Sequence, residues 1–291
     1  MLLDAAGVRH LAETTGIARG SSVSSLIIII DTLSSLLPAR YARSVRWRIY
    51  RWAKSAAAAG FDTEAMGLRW HLHPVDNVTE RLIWLHRDHP ERKSLDWARG
   101  LVQGKRALIL DIGANCGAFA IPLAAAAGAG SRCLAFEPNP VMIARLQTNL
   151  RLNDLSNRVE ICPFALGAAS GEATLSYTGN LGEASLRASS GQTGQQTRHQ
   201  VTVPLRRLSD CLADVTDSGT IFLKIDVESY EPEVLLPFFA TAARAIWPHY
   251  ILIEIEHRSD WSSDLGGALE RLGYDTVDTC EGNSFLRLRV A

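Results

Sequence analysis

The sequence predicts an α/β domain with a mostly parallel, seven-stranded sheet that ends in an antiparallel hairpin. An N-terminal helical extension covers residues 1–69 and the sheet domain covers residues 70–291. Three observations carry this prediction. Beyond residue 105 short apolar runs alternate with helical segments, the pattern of a parallel sheet with crossover helices. The run Leu108–Gly117, LILDIGANCG, is a buried strand that breaks into a glycine turn before a helix. The last two apolar runs are joined by CEGN and look like a hairpin.

Taken in order, strands are expected near Ala107–Ile112, Arg132–Glu137, Val159–Pro163, Ile221–Val227 and Tyr250–Glu256. The hairpin is expected over Tyr274–Val277 and Phe285–Val290. Helices are expected near Ala118–Ala127, Pro140–Asn153, Pro232–Ala243 and Ser262–Leu272. Between Gly171 and Leu205 the alternation breaks. Two strand-like pieces, Ala173–Thr178 and Val201–Leu205, flank the polar stretch RASSGQTGQQTRHQ, whose composition predicts a mobile loop.

At 291 residues and 47% hydrophobic, the chain can bury a sizeable core. A formal charge of -1 gives no overall basic field, so nucleic acid is not an expected partner of the whole molecule. The five cysteines are widely spaced with no C-x-x-C pair, which argues against a disulfide scaffold or a structural zinc site and for thiols in a reducing cytoplasm. The first residues lack the order of a secretory signal. Leu26–Leu37 contains Asp31, is stopped by Pro38 and falls short of a membrane span, so it reads as a docking helix. From Arg40 to Lys54 there are six basic residues and no acid, interleaved with aromatics. Such a segment packs on the domain as a solvated helix, or contacts a membrane surface or partner protein.

The chemistry concentrates at strand ends. Asp111 closes the first strand, and Gly113, Ala114, Asn115 and Gly117 form a turn whose backbone can approach a ligand closely. The spacing is not G-x-G-x-x-G, which weakens a nicotinamide reading. Glu137, followed by Pro138, places a carboxylate about twenty residues further on, where it can accept from both ribose hydroxyls of an adenosine-containing ligand. Lys224, Asp226 and Glu228 are spaced i, i+2, i+4 and would project to one side if their strand continues. A lysine within IFLKIDV is costly to bury alone, so it is expected to pair with Asp226 or Glu228. The next strand adds Glu254, Glu256 and His257.

LDIGANCG, FEPNP and FLKIDVESYEPEVL followed by IEI resemble the FkbM-like family of S-adenosylmethionine-dependent methyltransferases, from about Trp70 to the C-terminus. The resemblance implies a class I methyltransferase Rossmann-like fold, for which the terminal hairpin is expected. It implies S-adenosylmethionine as cofactor, with Asp111, Gly113, Asn115 and Gly117 shaping its methionine and ribose side, Glu137 on the ribose, and Phe164 and Ala165 near the adenine. Asn180 and Ser185 match an N-x-G-x-x-S-L element of the family and imply a substrate-side loop. Ser229 departs from the family, which usually has Gly there; if that position has positive φ, Ser is strained.

The expected reaction is O-methylation of a hydroxyl on a small molecule, sugar or glycan. Asp226 or Glu228 would be the general base, His257 the competing base, and Lys224 and Glu254 neighbours in the catalytic cluster. The clustered oxygens could instead hold magnesium or calcium, although no ligand spacing singles out a metal. N- or C-methylation on the same fold, a non-catalytic docking module and a nicotinamide oxidoreductase are the alternatives.

Overall fold

The computed structural model describes residues 34, 37–38, 41–47, 60–177, 179–182, 184–186, 199–215 and 219–289. Most of Leu26–Leu37, the Arg40–Lys54 segment outside residues 41–47, which are helical, and residues 187–198 of the polar loop lie outside that set. The chain forms two compact units, Met1–Pro90 and Glu91–Ala291. The sequence boundary at residues 69 and 70 falls inside a hairpin of the first unit, so the compact units divide about twenty residues later.

In the first unit, β1 (Phe61–Ala65) pairs antiparallel with β2 (Leu68–Leu72), and α1 (Val78–His86) follows. Asn77 caps α1, its side-chain oxygen accepting from the Glu80 N–H at 3.0 Å. Phe61 meets Trp84 edge-on at 5.3 Å, and the Trp70 indole donates to the Ala65 carbonyl at 3.1 Å. This pairing satisfies the buried indole N–H.

The second unit carries the seven-stranded sheet. After α2 (Arg92–Val102) come β3 (Ala107–Ile112), α3 (Ala120–Ala126), β4 (Arg132–Phe136), α4 (Pro140–Leu152) and β5 (Val159–Cys162). A small sheet follows, made of β6 (Ala165–Leu166), β7 (Gly171–Tyr177) and β8 (His199–Arg206), and then α5 (Leu208–Cys211). The chain returns to the large sheet with β9 (Thr220–Ile225), α6 (Glu231–Thr241), β10 (Tyr250–Glu254), α7 (Leu265–Arg271), β11 (Tyr274–Cys280) and β12 (Asn283–Leu288). The large sheet has the order β11-β12-β10-β9-β3-β4-β5. Its strands from β10 to β5 are parallel, and β12 is antiparallel to both of its neighbours. This is the α/β architecture read from the sequence.

Parity along the strands decides what lies where. Leu108, Leu110, Ile112, Ile221, Leu223 and Ile225 face one core, shared with Val234, Leu235 and Phe238 of α6. The opposite face carries Phe222, Tyr250 and Phe285, all within 6.1 Å of the Trp97 ring of α2. Followed to the strand ends, the α2 face runs out of apolar residues and into Asp111, Lys224, Glu254 and Asn283.

The first turn of α2 has no side-chain cap of its own. Glu281, in the turn between β11 and β12, supplies one across 187 residues of chain. Its carboxylate accepts from the Ser94 N–H at 3.0 Å, the Lys93 N–H at 3.2 Å and the Ser94 hydroxyl at 3.1 Å. A carboxylate at a helix N-terminus satisfies orphan donors and opposes the positive end of the dipole. Replacing Glu281 with Ala should therefore cost about 1–2 kcal/mol of stability in urea unfolding. An unchanged midpoint would show that water replaces the cap.

Candidate active site

The glycine turn after β3 is fixed by its neighbours. The N–H groups of Gly113 and Ala114 both donate to the Phe136 carbonyl at the end of β4, at 3.0 and 3.1 Å. Asn149 of α4 donates to the Cys116 carbonyl at 3.1 Å. Gly113 has φ +80, and a Cβ there would stand 2.0 Å from the Asp226 carbonyl oxygen, so only glycine fits. The backbones of the β3 and β9 turns are in direct contact.

Asp111 is fully buried. Its Oδ2 accepts from the Ala120 N–H at the start of α3 at 2.9 Å, and its Oδ1 has no hydrogen-bond partner among the described residues. Burial raises its pKa, against the lowering effect of the Lys224 charge. Glu137 is 6% exposed and held at both oxygens: Oε2 accepts from the Asn115 N–H and Oε1 from the Asn139 N–H, each at 2.8 Å. Burial pushes its carboxyl up to about 7, although both N–H groups lower it. Each oxygen keeps a second lone pair for another donor. Asn115 contributes its backbone here, with φ 52, while its side-chain oxygen accepts from the Cys116 N–H at 2.8 Å. Pro138 links the two anchored residues.

Lys224 is 4% exposed. Its ammonium donates to the Gly113 carbonyl at 3.3 Å and to Asp226 Oδ2 at 3.4 Å, and lies 5.4 Å from the centre of the Phe119 ring. Burial alone would lower its pKa, yet Asp226, Asp111 and Glu91 outweigh it and the net shift is upward. Lys224 stays charged, with Asp226 as its ion-pair partner.

The i, i+2, i+4 reading of Lys224, Asp226 and Glu228 needs a correction. The strand ends at Ile225, and both Glu228 and Ser229 have positive φ, 53 and 73. The chain turns instead of alternating, so Glu228 does not stand above Asp226. Its Oε2 is 3.9 Å from His257 Nε2, and its carbonyl accepts from the Ser185 hydroxyl at 3.2 Å. Ser185 and Ser176 exchange backbone hydrogen bonds, and Asn180 accepts from the Gly182 N–H at 3.2 Å. The loop bearing both residues is thereby tied to the β9 turn. Ser229 does occupy the left-handed region, where a side chain is strained.

Two residues not singled out in the sequence complete the edge. Glu231, fully buried at the start of α6, accepts from the Val227 N–H at 2.9 Å and from the Trp261 indole at 2.8 Å, and so staples the turn. Glu91, ahead of α2, accepts from Asn283 at 2.7 Å. Burial pushes its carboxyl up to about 7, with Lys224 opposing and Asp226 reinforcing. A carboxylate just before a helix, or a glutamate ahead of a proline, carries no local signal that it belongs to the site.

Glu254 completes the row. One of its oxygens accepts from the Glu256 N–H, and the other has no hydrogen-bond partner among the described residues. Burial, and then the Asp226 charge, push its carboxyl up to about 7. Ligand atoms of Asp226, Glu231 and Glu254 lie within 4.8 Å of one another. Both Glu231 oxygens already accept hydrogen bonds, and Asp226 faces the Lys224 ammonium. Phe164 and Ala165 are buried. Phe164 meets Phe136 at 5.9 Å with the Arg206 guanidinium 4.5 Å from its ring, and Ala165 belongs to the core of the small sheet.

The sheet order, the glycine turn and the carboxylate after β4 define a class I methyltransferase-type domain. The methyltransferase FkbM domain matches residues 111–276, and the chain belongs to that family. It is 32% identical over 152 residues to methyltransferase sdnD of Sordaria araneosa, covering 44% of this chain and 58% of that protein. Among solved structures, a methyltransferase FkbM from Methylobacillus flagellatus KT is 18% identical with a TM-score of 0.44, covering 84% of this chain and 59% of that one. A methyltransferase from Geobacter sulfurreducens is 14% identical with a TM-score of 0.42, covering 74% and 87%. The chain spans somewhat under two thirds of the length of sdnD and of the Methylobacillus protein. Among the described residues no helix is long and apolar enough to cross a membrane.

The raised Glu91 pKa gives a signed prediction. Between about pH 4.5 and 7 the folded state holds a proton on Glu91 that the unfolded chain has lost. The stability that this proton contributes is complete below pH 4.5 and disappears as pH rises through 7. Relative to Glu91→Gln, the wild type should therefore lose about 2–3 kcal/mol across that window. Unfolding free energies of the two proteins that run parallel from pH 4.5 to 8 would show that Glu91 ionises normally.

Proposed function

We propose that this chain transfers a methyl group from S-adenosylmethionine to a hydroxyl oxygen of a small molecule, sugar or glycan. The observation that carries the reading is Glu137, whose two oxygens are each fixed by one backbone N–H and each retain a lone pair. That is the acceptor pair a ribose diol requires. The unpartnered, buried Asp111 Oδ1 fits a cationic or hydrogen-bonding ligand beside the glycine turn. S-adenosylmethionine, when bound, supplies a methyl group on a sulfonium, activated for in-line displacement.

The chain's own residues then have separable tasks. The turn from Gly113 to Gly117 lets backbone approach the cofactor, and Glu137 orients its ribose. Lys224 and Asp226 hold the β3 and β9 turns in register and set the field at the strand edge. Glu254 takes the acceptor proton in this reading. A general base works best with a pKa near the working pH, and Glu254 combines a value of about 7 with a carboxylate oxygen that has no hydrogen-bond partner among the described residues. Glu228 and His257 line the acceptor side together with the loop from Asn180 to Ser185. Family membership supports methyl transfer, and the carboxylate edge favours a hydroxyl acceptor over a nitrogen that needs no base.

Calorimetry should find S-adenosylmethionine bound and NAD not; the reverse would overturn the reading. Glu137→Ala should weaken cofactor binding by roughly 1.5–3 kcal/mol, and an unchanged affinity would remove Glu137 from the site. With an acceptor identified by isotope-labelled methyl transfer to a cell extract, kcat/KM should rise as pH passes through about 7. In Glu254→Gln that rise should vanish; a preserved profile would move the base to Glu228 or His257.

A further inference from the structure

The helix that follows β4 opens on a buried amide. Asn139 immediately precedes α4 and is fully buried. Its polar groups are committed one by one. The backbone N–H donates to Glu137 Oε1 at 2.8 Å, and the side-chain Oδ1 accepts from the Val141 N–H at 3.0 Å, capping α4. The cap needs an acceptor, so it fixes which end of the amide is oxygen and leaves the other end as a donor. That donor, Nδ2, has no hydrogen-bond partner among the described residues.

A buried N–H without an acceptor is destabilising, and such groups are paired in most folded proteins. Glu137 creates the complementary need. A hydroxyl that donates to its Oε1 keeps two lone pairs of its own, and in a buried setting these call for a donor. Pro138, the residue between the two, has no N–H to give. Asn139 already reaches Oε1 through its backbone, so its amide and a hydroxyl on Oε1 belong to the same corner of the site.

We propose that Asn139 is a cofactor-binding residue whose Nδ2 donates to the ribose hydroxyl that Glu137 Oε1 accepts from. The inference rests on the reading of Glu137 as the ribose carboxylate. Glu137 takes the hydroxyl proton and Asn139 meets the hydroxyl oxygen, so the corner fits a group that both gives and receives. A deoxyribose would leave Asn139 without its acceptor, and an ether oxygen would face the carboxylate without a proton. The pair therefore selects an intact ribonucleoside.

S-adenosylhomocysteine, which binds without reacting, is the probe. In calorimetry on the full chain, Asn139→Ser keeps an oxygen to cap α4 and should weaken binding about tenfold. The 2′-deoxy and 3′-deoxy forms of the probe locate the contact. With one of them the wild type and Asn139→Ser should agree within about twofold, because the accepting oxygen is gone, and with the other the difference should persist. NMR of the unsubstituted chain gives a readout that does not depend on how the variant folds. The Asn139 side-chain amide resonances should shift, and exchange with water more slowly, when S-adenosylhomocysteine binds. An unchanged affinity in Asn139→Ser, a loss that persists with both deoxy forms, or amide resonances that stay in place would each overturn the proposal while leaving Glu137 on the ribose. A wild type that binds no probe would overturn the Glu137 reading, and the proposal with it.

Discussion

A single buried ammonium holds the business edge of the large sheet together. Lys224 sits at the end of a strand whose other residues are apolar, and an unpaired charge there would cost several kcal/mol. Its partners come from two turns, the Gly113 carbonyl after β3 and the Asp226 carboxylate after β9. The same two turns touch so closely that Gly113 cannot carry a side chain. Lys224 therefore does more than neutralise carboxylates. It requires both turns to stay where they are, and the glycine turn in turn presents the Asn115 N–H to Glu137. Exchanging Lys224 for an apolar residue would leave Asp111 and Asp226 facing each other's charge without a counterion.

Strand parity explains both what the sequence revealed and where it misled. Ile109 and Phe222 are core residues of the α2 face, so Asp111 and Lys224, two positions on, had to emerge on that face at the edge. The same counting carries Ala135 to Glu137 and Leu252 to Glu254. These residues were legible because an extended chain propagates orientation without tertiary information. Counting fails as soon as the chain turns, which is why Glu228 was misplaced: φ of 53 and 73 at Glu228 and Ser229 ends the alternation. Ser229 holds a left-handed conformation that a glycine would occupy freely.

Glu91, Glu231 and Asn283 escaped for a different reason. Each belongs to the edge through a partner far away in sequence, and no local pattern encodes that pairing. Asn283 pairs in register with Glu254 across antiparallel strands and donates to Glu91, 192 residues earlier. Glu231 resembles an ordinary acidic residue in the first turn of a helix, a position favoured by the dipole alone. Only the indole of Trp261 and the N–H of Val227 converging on it identify it as the clamp of the β9 turn.

The carboxylates along the edge are not equivalent, and their differences argue for a division of labour. Asp226 is committed to Lys224. Both Glu231 oxygens are committed to protein donors. Glu137 is anchored on both sides and has only outward lone pairs to offer, which suits a binding role and not proton transfer. Asp111 and Glu254 both combine burial, a neighbouring negative charge and an oxygen with no hydrogen-bond partner among the described residues. The Lys224 charge counters the shift of Asp111, whereas for Glu254 the Asp226 charge reinforces burial. Glu254 is held back from ionising until pH approaches 7, which in the proposed reading suits it to take the proton of a hydroxyl acceptor. The loop tied to Glu228 through Ser185 borders the same edge. In the proposed reading that loop would select the acceptor, and the crowding of charges behind Glu254 would set the readiness of the base.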